Sequence, residues 1–300
     1  MSSKILITGG TGLVGQRLSP LLTEKGYEVW HLSRRSNPNA VYPTYRWDYG
    51  KGQIDPKALE ADHVIHLAGA GVADEKWTDA RKQMIYDSRV KSTSFLLEQF
   101  SQAKTPLSSF ISASAIGFYG MDTGDRLLTE TSPAGNDFLA KVTRGWEEAS
   151  SGFHEHQIPT ALVRIGVALD PRGGALEKMS QPVRFGAGAP LGSGKQVVSW
   201  IHVADLCNIF LWVLEHQKTG IYNAVAPKPE TNKALTKAIA KTLGKPMFLP
   251  PVPPFVLKLM LGEMSAIVLG GNNVSAQKLL DEGFKFQFPD ISSALSDLFH

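Results

Sequence analysis

The sequence predicts an α/β protein built on a doubly wound parallel sheet. Short apolar segments rich in β-branched residues alternate with longer helical segments up to about residue 170, the pattern of a parallel sheet covered by helices on both faces. The first such segment runs directly into a glycine-rich turn. With 300 residues, 43% of them apolar and 20% charged, the chain has an ordinary globular composition and enough material for a sizeable core.

The individual elements follow this alternation along the chain. The predicted strands are KILI (4–7), YEVWHL (27–32), HVIHLAG (63–69), SSFISAS (108–114) and TALVRIGVAL (160–169). Apolar spacing predicts helices from residue 13 to Gly26, over roughly 76–102, and from about Val203. Residues 171–196, rich in glycine and proline, predict a long functional connection. GIYNAVAPKPE (220–230) predicts a last strand and its exit, and residues 231–300 are predicted to be helical with a break at PVPPF.

The glycine-rich turn TGGTGLVG (8–15) lies between the first predicted strand and the first predicted helix. Gly10, Gly12 and Gly15 fit the G-x-G-x-x-G spacing, and Gly9, Gly12 and Gly15 fit a wider three-residue spacing. Glycines let backbone N–H groups approach a pyrophosphate, and the helix N-terminus adds a favourable dipole. The turn therefore predicts a Rossmann dinucleotide site. Its predicted contacts are Gly9, Gly10, Thr11, Gly12, Leu13, Val14 and Gly15.

The end of the second predicted strand indicates which dinucleotide binds. NAD sites carry an acidic residue here for the ribose hydroxyls, whereas this chain has Ser33, Arg34 and Arg35. Guanidinium groups bind a 2′-phosphate through charge-assisted hydrogen bonds, so the prediction is NADP; the alternative is a solvated loop. Asp48 is a candidate adenine contact. The small residues that end the next strand predict close passage of the cofactor at Leu67, Ala68 and Gly69.

Composition and charge argue against several other classes of protein. The net charge of +3 comes from 31 basic and 28 acidic residues without a block of like charges, which predicts no nucleic-acid partner. No apolar run reaches the length of a membrane span, and the N-terminus does not resemble a signal peptide. Cys207 is the only cysteine, which suits a reducing compartment. We expect a cytoplasmic protein without a membrane partner. The HEH run at 154–156 lacks further ligand residues, so no metal is predicted.

Longer motifs resemble one known family over nearly the whole chain. They are HLAGAG (66–71), KWTDARKQMIYDSRVKST (76–93), ISASAIGFYG (111–120), NDFLAKVTRGWEE (136–148), PLGSGKQVVSWIHVADL (190–206) and KLLDEGFKFQFPDISSAL (278–295). In this order they resemble the atypical extended short-chain dehydrogenase/reductases. Within them the chain is similar to the SDR39U1-like epimerase branch, whose members are often called nucleoside-diphosphate-sugar epimerases.

The resemblance implies a seven-stranded Rossmann sheet with a small C-terminal α/β substrate lobe, and it supports NADP. Residues 1–165 and 197–226 would form the NADP-binding core, and residues 166–196 and 227–300 the substrate-binding lobe. Members of the superfamily often form homodimers through helices beside the sheet centre, here the stretches near 76–102 and 136–153.

The usual catalytic pair of that superfamily is missing. Its members carry Tyr-x-x-x-Lys on one helix face, where the ammonium lowers the pKa of the phenol. None of the seven tyrosines of this chain has a lysine four positions later. If Lys141 is the matching lysine, the tyrosine position holds Asp137. Standard hydride chemistry is therefore in question.

The remaining catalytic candidates follow the fourth predicted strand. By resemblance Ser114 matches the active-site serine, with Ser112 as the second choice for a substrate contact. Tyr119 is a candidate acid that needs a nearby cation, which Lys141 or Arg164 could supply. The structural alternatives are that Ser114 is a small residue packed against the cofactor and that Tyr119 is a half-buried ring whose hydroxyl is hydrogen-bonded within the protein.

Further candidates depend more heavily on the resemblance. Arg89 and Arg164 are predicted to contact the cofactor, although an internal salt bridge or an exposed charge would also explain Arg89. Lys195, Trp200 and His202 are candidate substrate contacts, His202 having a structural alternative, and Asp205 would orient His202 or cap the following helix.

Three functions fit this set of residues. The first is an NADP-dependent oxidoreductase or epimerase-like enzyme for a small polar substrate of the nucleotide-sugar kind. The second is an NADP-binding regulatory protein with a degenerate catalytic site, and the third is an NADPH reductase of small carbonyl compounds.

Overall fold

An eight-stranded sheet forms the centre of the computed structural model, which describes residues 2–35, 39–103 and 106–300. The strands are β1 (Lys4–Thr8), β2 (Glu28–Ser33), β3 (Thr44–Asp48), β4 (Gln53–Ile54), β5 (His63–His66), β6 (Ser109–Ala115), β7 (Gly124–Leu128), β8 (Thr160–Ile165), β9 (Val167–Asp170), β10 (Val197–Val198), β11 (Trp200–His202), β12 (Gly220–Ala224), β13 (Glu230–Thr231) and β14 (Asn272–Val274). The helices are α1 (Gly15–Glu24), α2 (Asp79–Ser101), α3 (Phe138–Glu155), α4 (Gly174–Arg184), α5 (Val203–Glu215), α6 (Asn232–Thr242), α7 (Pro254–Leu261), α8 (Ser265–Leu269), α9 (Gln277–Asp281) and α10 (Ile291–Phe299).

The order of the central sheet is β12-β8-β6-β5-β1-β2-β3-β4. Its first seven strands are parallel, as the sequence predicts, and the two-residue β4 adds an antiparallel edge. From β1 the chain builds outward through β2 and β3, and then returns to the other side of β1 with β5. This reversal is a topological switch point, where ligands bind at the carboxyl ends of the strands in open α/β sheets.

Both faces of the sheet are buried under helices. Ile5 and Ile7 of β1 belong to the apolar cluster that contains the buried residues of α1 and α5, whereas Leu6 packs in the cluster with Phe95 of α2 and Phe153 of α3. This alternation follows from the two-residue period of a strand. It accounts for the nearly continuous apolar character of the predicted strands.

Two parts of the chain differ from the sequence prediction. TALVRIGVAL forms two strands instead of one, because the chain leaves the central sheet at Gly166 and β9 pairs with β11. A Cβ at Gly166 would lie 2.4 Å from the Ser199 carbonyl oxygen, so only glycine fits this crossing. The predicted connection over 171–196 contains α4, and the region predicted as helical contains β13 and β14. The short polar strand β14 pairs with β7. At the bulged start of this pairing Asn272 lies opposite Gly124, which is 148 residues earlier in the chain, and local periodicity does not reveal such a contact.

A buried carboxylate ties α1 to the segment after β9. Asp170 is completely buried and accepts hydrogen bonds from Arg17 Nε at 2.8 Å and Arg172 Nη2 at 2.7 Å. Burial alone would raise the pKa of Asp170, but the hydrogen bonds from Arg172 and Arg17 outweigh it and lower the pKa from 3.8 to about 2. The folded state therefore favours the ionised carboxylate.

Asp170 is expected to make the protein sensitive to acid. Because its folded pKa is depressed, its contribution of about 2 kcal/mol is fully present above its unfolded pKa near 3.8 and is lost as the pH falls towards 2. Urea unfolding between pH 7 and pH 2 should show this loss in wild type and in the exposed control Asp125→Asn, and a loss about 2 kcal/mol smaller in Asp170→Asn. Equal pH profiles for wild type and Asp170→Asn would contradict the assignment.

Within the described residues, the helices are too short or too polar to span a membrane.

Candidate functional site

A crevice of about 490 Å³ opens at the carboxyl ends of β1, β2 and β5. The ends coincide because Thr8 pairs with Leu32 on one side and with His66 on the other. The crevice is lined by residues 9–12, 31–34 and 67–71, together with Trp47, Tyr49, Asp74, Arg81, Met84 and Ser88. The glycine turn, the end of β2 and the small residues after β5, predicted separately from sequence, thus meet at one site.

The glycine turn lies so close to its neighbours that side chains would not fit. Gly9 has a φ of +70°, and a Cβ there would lie 3.0 Å from the backbone of Ala68. A Cβ at Gly10 would come within 2.5 Å of the His31 ring, and one at Gly15 within 2.6 Å of Gly10 Cα. In the described turn, α1 begins with no side-chain cap and no acidic residue in its first turn. The geometry fits a pyrophosphate over the turn at the start of α1.

A buried polar chain fixes the floor of the crevice. Thr8 Oγ1 accepts from the N–H groups of Leu67 and Ala68, each at 3.1 Å, and lies 2.7 Å from His66 Nδ1. The other ring nitrogen of His66 lies 3.0 Å from Thr93 Oγ1 on α2. Burial, assisted by the charge of Arg89, lowers the pKa of His66 to about 3, so the ring is neutral. Sequence reasoning missed His66, because a buried histidine in an apolar strand carries no local signal.

The end of β2 presents positive charge to the crevice. Arg34 is exposed and lines the crevice, and the neighbouring Arg35 is also exposed, its backbone N–H donating to Ser33 Oγ at 3.3 Å. Asp48, a predicted adenine contact, accepts hydrogen bonds from the backbone N–H groups of Gly50 and Lys51 and so stabilises the turn that follows β3. The side chains that line this end beside β3 are those of Trp47 and Tyr49.

Arg89 lies directly beneath the segment that follows β5. Its Nη1 donates to the Ala70 carbonyl at 2.9 Å, and its guanidinium lies 5.2 Å from the centre of the Trp146 ring. A Cβ at Gly69 would come within 2.9 Å of Arg89 Cζ. Burial, together with the charge of Arg81, lowers the pKa of Arg89 to about 10. No carboxylate pairs with Arg89 among the described residues, so the predicted internal salt bridge is not formed there.

The predicted catalytic residues after β6 belong to a buried polar network. Ser114 donates to Glu147 Oε1 at 2.5 Å, and Glu147 forms a two-pronged ion pair with Arg164, both contacts being 2.8 Å. Arg164 Nη1 donates to Tyr119 Oη at 2.9 Å, and Tyr119 donates to Asn223 Oδ1 at 2.7 Å. The cation beside Tyr119 is therefore Arg164.

Tyr119 keeps its proton in this environment. Burial raises its pKa above the usual value of 10, and the charge and hydrogen bond of Arg164 only partly offset this. The side chains of Ser114 and Tyr119 are each about 2% exposed. The network can supply an ordered proton donor, but it does not supply a ready base at neutral pH.

Other predicted site residues lie away from the crevice. Lys141 is exposed on α3, and Lys195 is exposed before β10. Ser112 is completely buried and accepts from Ser150 Oγ at 3.2 Å. In the part of the chain that is described, no group of three or more His, Cys, Asp or Glu side chains is arranged to hold a metal.

Trp200 and His202 are completely buried. The Trp200 indole donates to the Lys228 carbonyl, and His202 caps α5 by accepting from the Ala204 N–H at 3.0 Å. Asp205 neither orients His202 nor caps α5, because its carboxylate accepts from two backbone N–H groups before α10, at 287 and 288. The hydrogen bonds of Trp200 and His202 are thus made within the protein, away from the crevice.

The parallel sheet, its switch point and the glycine-lined crevice define a dinucleotide-binding α/β protein. Residues 5–224 match the family model described as the NAD dependent epimerase/dehydratase family, and the chain belongs to that family. Residues 252–298 match a second model, a domain of unknown function, DUF1731.

Relatives from bacteria and mammals are similar to this chain over nearly all of its length. The epimerase family protein YfhF of Bacillus subtilis is 33% identical, with 98% of this chain and 97% of that protein covered. Mouse epimerase family protein SDR39U1 is 32% identical over 98% of this chain and 99% of its own. The crystal structure of human SDR39U1 (isoform 2) with NADPH has a TM-score of 0.87 and 29% identity over 98% of both chains. The nucleoside-diphosphate sugar epimerase of Corynebacterium glutamicum has a TM-score of 0.80 and 34% identity over 99% of this chain and 58% of that one.

Proposed function

We propose that the chain is an NADP(H)-dependent oxidoreductase of the epimerase type that acts on a small polar substrate of the nucleotide-sugar class. The observation that carries this proposal is the crevice itself, with a glycine turn that would accept a pyrophosphate at its centre and Arg34 at its β2 end. The human relative solved with NADPH and the Corynebacterium relative named as a nucleoside-diphosphate sugar epimerase support it.

The preference for NADP(H) over NAD(H) rests on charge at the end of β2. Ser33, Arg34 and Arg35 follow one another there, and Arg34 lines the crevice. Among the crevice-lining residues of the described chain the acidic one is Asp74, which follows β5 and not β2. A 2′-phosphate at this end would therefore meet the Arg34 guanidinium, with Arg35 next to it in the chain, and no carboxylate at the carboxyl end of β2.

A bound nicotinamide cofactor would supply hydride transfer. The residues 9–12 and 67–70 would hold its phosphate and ribose parts, and Arg89 would bring positive charge under them. When the hydride of the cofactor reduces a substrate ketone, Tyr119, with its hydroxyl held between Arg164 and Asn223, would donate its proton to the alkoxide that forms. Ser114 would turn from Glu147 to orient the substrate oxygen. Lys141 stays a weaker candidate because it is exposed.

A second candidate function is an NADP(H)-binding regulatory protein. The observation that favours it is the internal satisfaction of Ser114 and Tyr119, both of which bond to protein partners and are nearly inaccessible. In this case the crevice would bind cofactor without turnover.

Hydride transfer distinguishes the two functions. The protein would be incubated with NADPH that carries deuterium at C4 of the nicotinamide, in each of its two C4 positions in turn, and with a panel of UDP- and dTDP-keto-sugars and small carbonyl compounds. The products would be analysed by mass spectrometry. The enzyme proposal predicts an alcohol product one mass unit heavier than the product formed with unlabelled NADPH, and less of this product with Tyr119→Phe. Tight binding of NADPH with no labelled product from any keto-sugar or small carbonyl compound would favour the regulatory protein.

A further inference from the structure

Arg81 is a buried cation in the crevice that the proposed function does not use. It lies in the first turns of α2, is 9% exposed and lines the crevice beside Gly71, Asp74 and Met84. Its Nη2 donates to the Gly71 carbonyl at 2.7 Å, and its Nη1 lies 3.4 Å from the Met84 sulfur. Its Nε is buried and has no hydrogen-bond partner in the described chain.

The carboxylates near Arg81 do not complete its hydrogen bonds. Asp74 Oδ2 lies 3.6 Å from Nη2 and Glu75 Oε1 lies 3.6 Å from Nη1, beyond ordinary hydrogen-bond distance. Both carboxylate side chains are largely exposed, at 64% and 70%. A buried guanidinium is usually held by a well-formed carboxylate pair, as Arg164 is by Glu147. Arg81 lacks such a pair.

Asp74 lies at the rim of the crevice, with its carboxylate still largely exposed. Its carboxylate lies against Gly71, where a Cβ would come within 2.1 Å of Asp74 Oδ2, so Gly71 gives Asp74 the space to lie there. Asp74 is itself part of the crevice lining. It therefore occupies the position beside Arg81 that an oxyanion in the crevice would need.

A second cation strengthens the positive charge at this end. Arg81 donates to the carbonyl of Gly71 and Arg89 to the carbonyl of Ala70, the residue before it, so the two guanidinium groups lie at the same end of the crevice. The charge of Arg81 also contributes to the lowered pKa of Arg89. Arg89 is held by backbone carbonyls and has no carboxylate partner among the described residues. Two neighbouring cations that lack firm carboxylate partners favour an anionic ligand between or beside them.

We propose that Arg81 is the anchor of an oxyanion site at the β5 end of the crevice, that its ligand is a phosphate-class group, and that Asp74 is the intramolecular competitor which this group displaces. The inference rests on the proposed function for the source of the phosphate. The pyrophosphate of the cofactor and the diphosphate of a nucleotide-sugar substrate share this chemistry. Arg34 and Arg81 would then bind different phosphates at opposite ends of one crevice.

Calorimetric titrations of the full chain at fixed salt test the site with two probes. NADPH is titrated into the free protein, and UDP into protein saturated with NADP⁺. Arg81→Met should weaken the binding of one of these probes about tenfold, because it removes a charge-assisted contact. The control Arg144→Met, on the exposed side of α3, should leave the binding of both probes unchanged. A loss for NADPH assigns the cofactor's pyrophosphate, and a loss for UDP alone assigns the substrate's phosphate.

Asp74→Asn tests the competitor without disturbing a buried side chain. The same probe should bind several-fold more tightly to Asp74→Asn and show no change with the exposed control Asp125→Asn. If wild type binds NADPH and neither Arg81→Met nor Asp74→Asn changes either probe, the oxyanion site is wrong and the proposed function stands. If wild type binds no NADPH, the proposed function fails first. If circular dichroism shows that Arg81→Met does not fold, unchanged binding of both NADPH and UDP to Asp74→Asn is by itself enough to overturn the inference.

Discussion

Glu147→Gln is expected to lower the free energy of unfolding by about 3–5 kcal/mol, the range for breaking a buried ion pair by removing one partner. Glu147 is the sole carboxylate paired with Arg164 in the described chain, and the Arg164 side chain is 1% exposed. Burial alone would lower the pKa of Arg164, but the contacts with Glu147 raise it. The variant would thus leave a charged guanidinium buried without its counter-ion.

Chemical denaturation of matched variants measures this effect. Glu148→Gln is the control, because Glu148 is the next residue on α3 and its side chain is 70% exposed. The double variant Glu147→Leu/Arg164→Met should regain much of the stability, since it removes both charges together. A loss below about 1 kcal/mol for Glu147→Gln would show that water reaches Arg164, which would contradict the buried network.

Replacing Arg34 and Arg35 together by alanine is expected to weaken NADPH binding by about 30- to 100-fold and to leave NADH binding almost unchanged. One charge-assisted hydrogen bond contributes about 1.5–3 kcal/mol when it is shielded from water. Because Arg34 and Arg35 are exposed, screening reduces each contact to about 1–1.4 kcal/mol, and the loss of both corresponds to about 30- to 100-fold. Because NADH lacks that phosphate, its affinity should hardly change.

Fluorescence titrations at fixed salt compare the two cofactors. Arg126→Ala, which removes an exposed arginine on β7, controls for net charge. Repeating the titrations at higher salt should reduce the wild-type preference, because partly exposed charges are screened. Equal losses for NADPH and NADH would mean that the arginines do not contact the 2′-phosphate.

Local patterns in the sequence predict the sheet well. Strands β1, β2, β5 and β6 are continuous apolar segments bounded by turn residues, and each forms where predicted. The glycine turn is also recognised from a local spacing, although the groups that exclude a side chain at Gly9 and Gly10 are Ala68 and His31, which are distant in the sequence. Buried parallel strands therefore reveal themselves without knowledge of their neighbours.

Contacts between distant residues account for what the sequence does not predict. Tyr119 bonds to Asn223, which lies 104 positions away, and β7 pairs with β14 across a similarly long separation. Two further features depend on how the folded chain packs: Arg81 Nε has no hydrogen-bond partner among the described residues, and Trp200 is completely buried. A residue's type indicates the chemistry it can perform, but its partner decides whether that chemistry is available.

A crystal structure of the protein with NADPH tests the central claim most directly. The account predicts the pyrophosphate over residues 9–12 and the 2′-phosphate within hydrogen-bond distance of Arg34 or Arg35. A cofactor bound outside this crevice, or bound in it with the 2′-phosphate away from both arginines, would contradict the account.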